Sequence, residues 1–161
     1  MAQEINQSSK HHPTVVFDDD PQLAAGWPRY HMVFAANDDS NKIFYVTSLD
    51  GETAWTLGPD PGQTTDAGPA LAVSRARSRQ PNLLVLVFVS NDDSHRILFS
   101  ILDLNEDPST RGWRFRGQVD GESAQEVFAL TTRNISDRSI TVYFKSNDST
   151  NRLLEQEFNP T

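Results

Sequence analysis

Cysteine is absent from this 161-residue chain, so neither disulfides nor thiolate metal sites are open to it. No apolar run approaches the roughly 20 residues of a membrane-spanning helix. Positive charge is scarce: 14 Lys and Arg against 22 Asp and Glu leave a net charge of −8. That balance argues against sequence-independent contact with phosphate backbones or anionic lipid, so neither nucleic acid nor membrane is an expected partner. What basic residues there are cluster at Arg75, Arg77 and Arg79, and at Arg111, Arg114 and Arg116; both clusters read as solvated loops. Helical periodicity beyond two turns is missing as well. The first ten residues are polar and carry no apolar h-region, which leads us to expect a soluble, cytoplasmic protein. Nucleophile elbows, phosphate loops and zinc motifs are lacking, and the His11-His12 and Asp18–Asp20 groups supply too few spaced ligands for a metal. No cofactor is expected.

Internal repetition is what the chain has in place of these signals. Val33-Phe34-Ala35-Ala36-Asn37-Asp38-Asp39-Ser40-Asn41-Lys42-Ile43-Phe44-Tyr45 returns as Val87-Phe88-Val89-Ser90-Asn91-Asp92-Asp93-Ser94-His95-Arg96-Ile97-Leu98-Phe99. A looser copy runs from Tyr143 to Glu155. The Asn-Asp anchors at 37, 91 and 147 recur after 54 and 56 residues, a period typical of propellers, solenoids and arrays.

Each anchor lies between two β-rich runs: His31–Ala36, Leu83–Ser90 and Ile140–Ser146 before it, Lys42–Ser48, Arg96–Leu102 and Arg152–Phe158 after it. Asn and Asp tolerate positive φ and bond their own backbone, so each pair reads as a hairpin. A calcium loop would need alternating oxygen ligands and a central Gly, which are missing. Further strands are expected at Thr53–Leu57 and Gly112–Arg116, and, preceding the hairpins, at Gln22–Ala25, Pro69–Val73 and Glu126–Leu130. Four strands per unit predict an all-β fold, a β-propeller of three four-stranded blades at about 21–58, 68–117 and 125–158, forming one domain over 1–161. The third unit ends without an outer strand, and Thr14–Phe17 (residues 14–17) is expected to close a blade. Three blades cannot close a ring, since propellers use typically four to eight. A homodimer forming a six-bladed ring is therefore expected, each N-terminal strand completing the partner's last blade.

The segments Ala36–Tyr45 and Thr47-Ser48-Leu49-Asp50-Gly51-Glu52-Thr53-Ala54-Trp55 resemble β-propeller lectins, in particular bacterial and fungal ones with blades of the form ANDxSNxLFYxTSxDGxxW. The linker Gly62–Val73 is similar to the inter-blade segment of that group. The resemblance spans about Gln22 to Phe158 and implies a sugar-binding propeller. Ser48-x-Asp50-Gly51 also resembles the Asp-box of sialidases, a structural turn. Fucose-binding members place an Arg on the second strand and a Glu on the third; here the second-strand positions hold His31, Val85 and Thr141, and only the third unit offers an acid, Glu155 or Glu157. The second unit carries an insertion, Leu104–Arg111. Divergent units suit a specialised pocket.

Sugars stack apolar faces on aromatic rings while their hydroxyls pair with planar polar groups. Candidate ligand-binding residues are Trp27, Arg29, His31, Tyr45, Trp55, Trp113, Arg116 and Glu155, expected in a pocket between blades or at the dimer seam. The expected ligand is a glycan or another polyoxygenated small molecule. A second reading is a lectin-like fungal pericyclase, a hetero-Diels–Alderase of natural-product biosynthesis; no catalytic residue is assigned to it.

Overall fold

The structure, a computed structural model, describes residues 9–20, 26–75, 82–134 and 139–161. Every element in them is a strand, arranged in two antiparallel sheets. The first sheet has the order β1 (Thr14–Phe17), β2 (Tyr30–Ala35), β3 (Ile43–Ser48), β4 (Thr56–Leu57). The second runs β5 (Ala70–Ser74), β6 (Leu83–Val89), β7 (Arg96–Asp103), β8 (Arg114–Asn134), β9 (Ser139–Ser146), β10 (Leu153–Phe158). All-β architecture, expected from the pattern, is observed.

Residues 114–123 of β8 pair with β7, and residues 124–134 pair with β9. The two strands expected at Gly112–Arg116 and Glu126–Leu130 are thus one continuous element. Gly117 (φ 132°) and Gly121 (φ 98°) carry it round the corner in backbone regions that a Cβ would disfavour, and shifts of register accompany the bend. Three repeating units result: β1–β4; β5–β7 with the first part of β8; and the rest of β8 with β9 and β10.

Two expectations about strand placement are corrected. Thr14–Phe17 pairs with Tyr30–Val33 of its own chain and takes the free edge of β2. That is the place expected for Gln22–Ala25, which lies outside the described residues. Nor is the strand exchanged onto a third unit. Only ten residues lie between Asp18 and Arg29 in the chain, and the two are joined where the Asp18 N–H donates to the Arg29 carbonyl at 2.7 Å. Within one chain this closure costs little entropy, because the loop is short. The third unit accordingly has three strands in this chain.

The repeated motif builds the hairpin turn in all three units. The residue after its Ser or Thr has positive φ each time: Asn41 (51°), His95 (46°) and Asn151 (51°). Asp92 Oδ1 accepts from the Ser94 N–H at 3.0 Å and the Ser90 hydroxyl at 2.8 Å, while Ser90 Oγ accepts from the Arg96 N–H at 2.8 Å. Asp148, Ser146 and Arg152 repeat this at 2.8–2.9 Å. In the first unit Ala36 replaces the bridging serine, and Asp38 keeps its bond to the Ser40 N–H at 2.9 Å. These bonds hold the Asp92 and Asp148 carboxyls well below the usual carboxylate range.

Side chains of β6 alternate between two cores. Leu83, Val85, Val87 and Val89 pack towards unit 3 with Ile97, Phe99, Ile140, Val142 and Phe144. Leu84, Leu86 and Phe88 pack towards unit 1 with Val33, Ile43, Tyr45, Leu71 and Leu102. Apolar residues on both faces are what a central sheet requires, and each such side chain contributes roughly 1.5–3 kcal/mol on burial.

Candidate functional site

Polar groups interrupt the apolar contact between units 1 and 2. His31 on β2 and Tyr45 on β3 face unit 2, because they share a sheet face with Val33, which packs there. His31 Nδ1 lies 2.7 Å from the Tyr45 hydroxyl, with the two rings nearly parallel at 6.0 Å. From unit 2, Trp113 meets Tyr45 edge-on, ring centres 5.3 Å apart at 90°. Gly58 passes so close over the Tyr45 ring that a Cβ there would collide with it, and its N–H donates to the Tyr45 carbonyl at 3.0 Å. On that side of Tyr45 a cleft of about 200 Å³ is lined by Ile43, Phe44, Leu57, Gly58, Asp60 and Pro61.

Arg111 completes the group. Its segment is held by a turn in which the Thr110 and Arg111 N–H groups both donate to the Asp107 carbonyl, at 3.0 and 2.9 Å. The residue is only 5% exposed, and its charge acts on both His31 and Tyr45. Burial, helped by Arg111, lowers the His31 pKa to about 3; burial raises the Tyr45 phenol, against the opposing pull of Arg111. Both side chains are therefore neutral at pH 7. Three buried nitrogens of this group have no hydrogen-bond partner: His31 Nε2, Arg111 Nε and Trp113 Nε1. The ion pairs among the described residues use Arg75, Arg96, Arg114 and Arg152, and none engages Arg111.

Register shows what became of the same place in the other units. Val33–Tyr45, Val87–Phe99 and Tyr143–Glu155 are equivalent pairs, so His31 corresponds to Val85 and Thr141, and Tyr45 to Phe99 and Glu155. Between units 2 and 3 the position is filled by Val85, Phe99 and Phe158, the two phenyl rings 5.0 Å apart. On unit 3 the position carries Thr141 and the exposed Glu155, with no further unit of this chain beside them.

Of the eight sequence candidates, His31, Tyr45 and Trp113 come together. Trp55 packs on the opposite face of unit 1, against Met32, Phe34 and Val46. Trp27 and Arg29 lie on the loop entering β2, half-buried, and Arg29 Nη1 donates to the Asp20 carbonyl at 3.2 Å. Arg116 is exposed on β8 and Glu155 on β10. The reading of both basic clusters as solvated loops is corrected. Arg111 is buried, and Arg75 is tied to the fully buried Asp18 at 2.8 Å; Arg77 and Arg79 lie outside the described residues. Arg111 was legible only through its place at the end of the Leu104–Arg111 insertion, two residues before Trp113. Arg111 comes from unit 2, and its charge acts on His31 and Tyr45 of unit 1.

No protein-family model and no curated protein matches the sequence. Among solved structures, the chain is similar to a fucose lectin from Kordia zhangzhouensis determined in complex with methyl-fucoside. The match covers 93% of this chain and 94% of that one, with a TM-score of 0.58 at 12% identity. The fold is lectin-like. At that identity the likeness speaks for the fold alone.

Proposed function

We propose that this chain is a sugar-binding lectin built as a half-propeller, with a glycan site in the crevice between units 1 and 2. The cluster of His31, Tyr45, Arg111 and Trp113 carries the reading. Its polar atoms are retained where the equivalent position between units 2 and 3 is packed with hydrocarbon. Unpartnered buried donors are costly, roughly 1–3 kcal/mol each, and are kept where a ligand satisfies them. Trp113, half-buried beside Tyr45, offers the stacking face. A lectin-like fold over nearly the full length of both chains supports the same conclusion. A glycan array followed by calorimetry tests it: Trp113→Ala should abolish binding to whichever sugar the wild-type protein captures. Failure of every glycan to bind would overturn the reading.

In this proposal two chains form a six-bladed ring. The face of unit 1 turned away from unit 2 is apolar: Val15, Phe17 and Leu57 lie exposed around Met32, Phe34 and Val46. By register the open face of unit 3 carries Thr141, Tyr143, Lys145, Leu153, Glu155 and Glu157, with Leu153 69% exposed. Apolar area of the kind unit 1 exposes is seldom left open on a monomer. A two-fold axis would place each face of one type against the other type on the partner.

A further inference from the structure

Resting on the lectin reading, we infer that the crevice between units 1 and 2 selects a sugar bearing a carboxylate, such as a uronic or sialic acid. The argument is an inventory of donors. Arg111 is a permanent cation in a nearly closed position, and a guanidinium taken out of water needs an anion or a full set of acceptors. No carboxylate of the described residues pairs with it. Asp107 feels its charge, but Asp107 Oδ1 is already occupied by the Ser109 N–H at 2.8 Å and the Ser109 hydroxyl at 2.6 Å.

His31 adds a second donor. The Tyr45 hydroxyl makes no other hydrogen bond, so its one proton goes to His31 Nδ1, and the neutral ring then carries its hydrogen on Nε2. Trp113 Nε1 can only donate. Three N–H groups thus lie buried and unpaired where units 1 and 2 meet, one of them on a cation, and no carboxylate of the described residues forms an ion pair with it. A neutral monosaccharide offers hydroxyls, each both donor and acceptor, and would leave its own protons without a carboxylate to receive them. A carboxylate accepts only, and two of its lone pairs match the fork of a guanidinium. The residue that aligns with a third-strand acid elsewhere is Tyr45 here, and it is engaged with His31.

The test compares D-glucuronate, D-galacturonate and N-acetylneuraminate with their methyl esters and with glucose and galactose, by calorimetry on the full-length protein. An acid should bind about ten- to a hundredfold more tightly than its own ester, the increment expected of charge-assisted hydrogen bonds. Arg111→Gln should erase that difference while leaving residual binding to the ester, and Arg111→Lys should restore part of it. The acid-to-ester ratio is read on the unmutated protein, so a folding defect in either variant leaves the test intact. Equal affinity for acid and ester, or preference for a neutral sugar, would overturn the carboxylate inference and leave the lectin reading standing. Binding of none of these sugars, nor of any glycan on an array, would overturn both.

Discussion

His31 is the residue whose surroundings have the clearest consequences. Its ring is fully buried, bonded only to Tyr45, and held in the neutral form. Tyr45→Phe would leave His31 Nδ1 without a partner, and should cost about 1–3 kcal/mol in urea denaturation without changing the far-ultraviolet spectrum. The pH dependence follows from linkage. An unfolded His titrates near 6.5 and the folded one near 3, so the unfolded chain binds more protons between those values. Stability should therefore fall as pH is lowered from about 6.5 towards 4, and stay flat from this source above 6.5. His31→Leu should flatten that slope, although it also removes the Tyr45 contact. Asp18 works the other way: burial raises its carboxyl against the pull of Arg75, so protonation on acidification favours the fold. Below about pH 4 the turn carboxylates Asp92 and Asp148, held low by their hydrogen bonds, add their own loss of stability as they protonate.

Among the elements, the hairpin turn is the one the chain repeats, and its three copies act as a natural mutation series. Ser90 and Ser146 bridge a turn aspartate to the following strand, where unit 1 has Ala36. Ser90→Ala should accordingly fold and cost only about 0.5–1.5 kcal/mol, measured by thermal or urea unfolding. At the positive-φ position, two units use Asn and the second uses His95 at 46°. A left-handed conformation costs a residue other than Gly or Asn about 1–2 kcal/mol, so His95→Asn should raise stability by a fraction of that, about 0.5–1 kcal/mol. A lowered melting temperature for His95→Asn would mean that the imidazole makes a contact worth more than the strain. The Asn-Asp-x-Ser motif was legible as a turn because its physics is local: each side chain bonds backbone within a few residues. Strand β6 was legible for a similar reason. A run of seven apolar residues has to be covered on both faces, and the cores on either side of it cover it.

At the scale of the molecule, the proposed ring makes the faces of units 1 and 3 the decisive surfaces. Light scattering at micromolar concentration should find twice the 18.0 kDa chain mass, about 36 kDa. Leu57→Glu, on a side chain that is 64% exposed, should convert that species to monomer while leaving the monomer folded, since an exposed substitution has little effect of its own. Leu86→Ala, in the core between units 1 and 2, should instead cost about 2–5 kcal/mol whatever the state of association. A monomer for the wild-type protein would remove the ring, and the crevice between units 1 and 2 would remain, because one chain supplies all of it.

The sequence by itself determined the repeat, the turns and the all-β character, since each depends on residues close together in the chain: the alternation of a strand, the φ of an Asn, a serine two positions from an aspartate. It also marked Tyr45, Trp113 and His31 as residues capable of recognition. Tertiary structure decided which of these meet: Trp55 and Trp113 stand at equivalent points of the repeat and lie on the same side of their own units, so Trp113 faces unit 1 and Trp55 faces away from unit 2. Likewise it set Thr14–Phe17 against β2 of its own chain, a choice between two open edges that strand propensity cannot rank. Arg111 shows the limit most plainly. Its immediate neighbours are polar loop residues, and its burial arises only when unit 1 is laid against unit 2, bringing His31 and Tyr45 from at least 66 residues away in the chain.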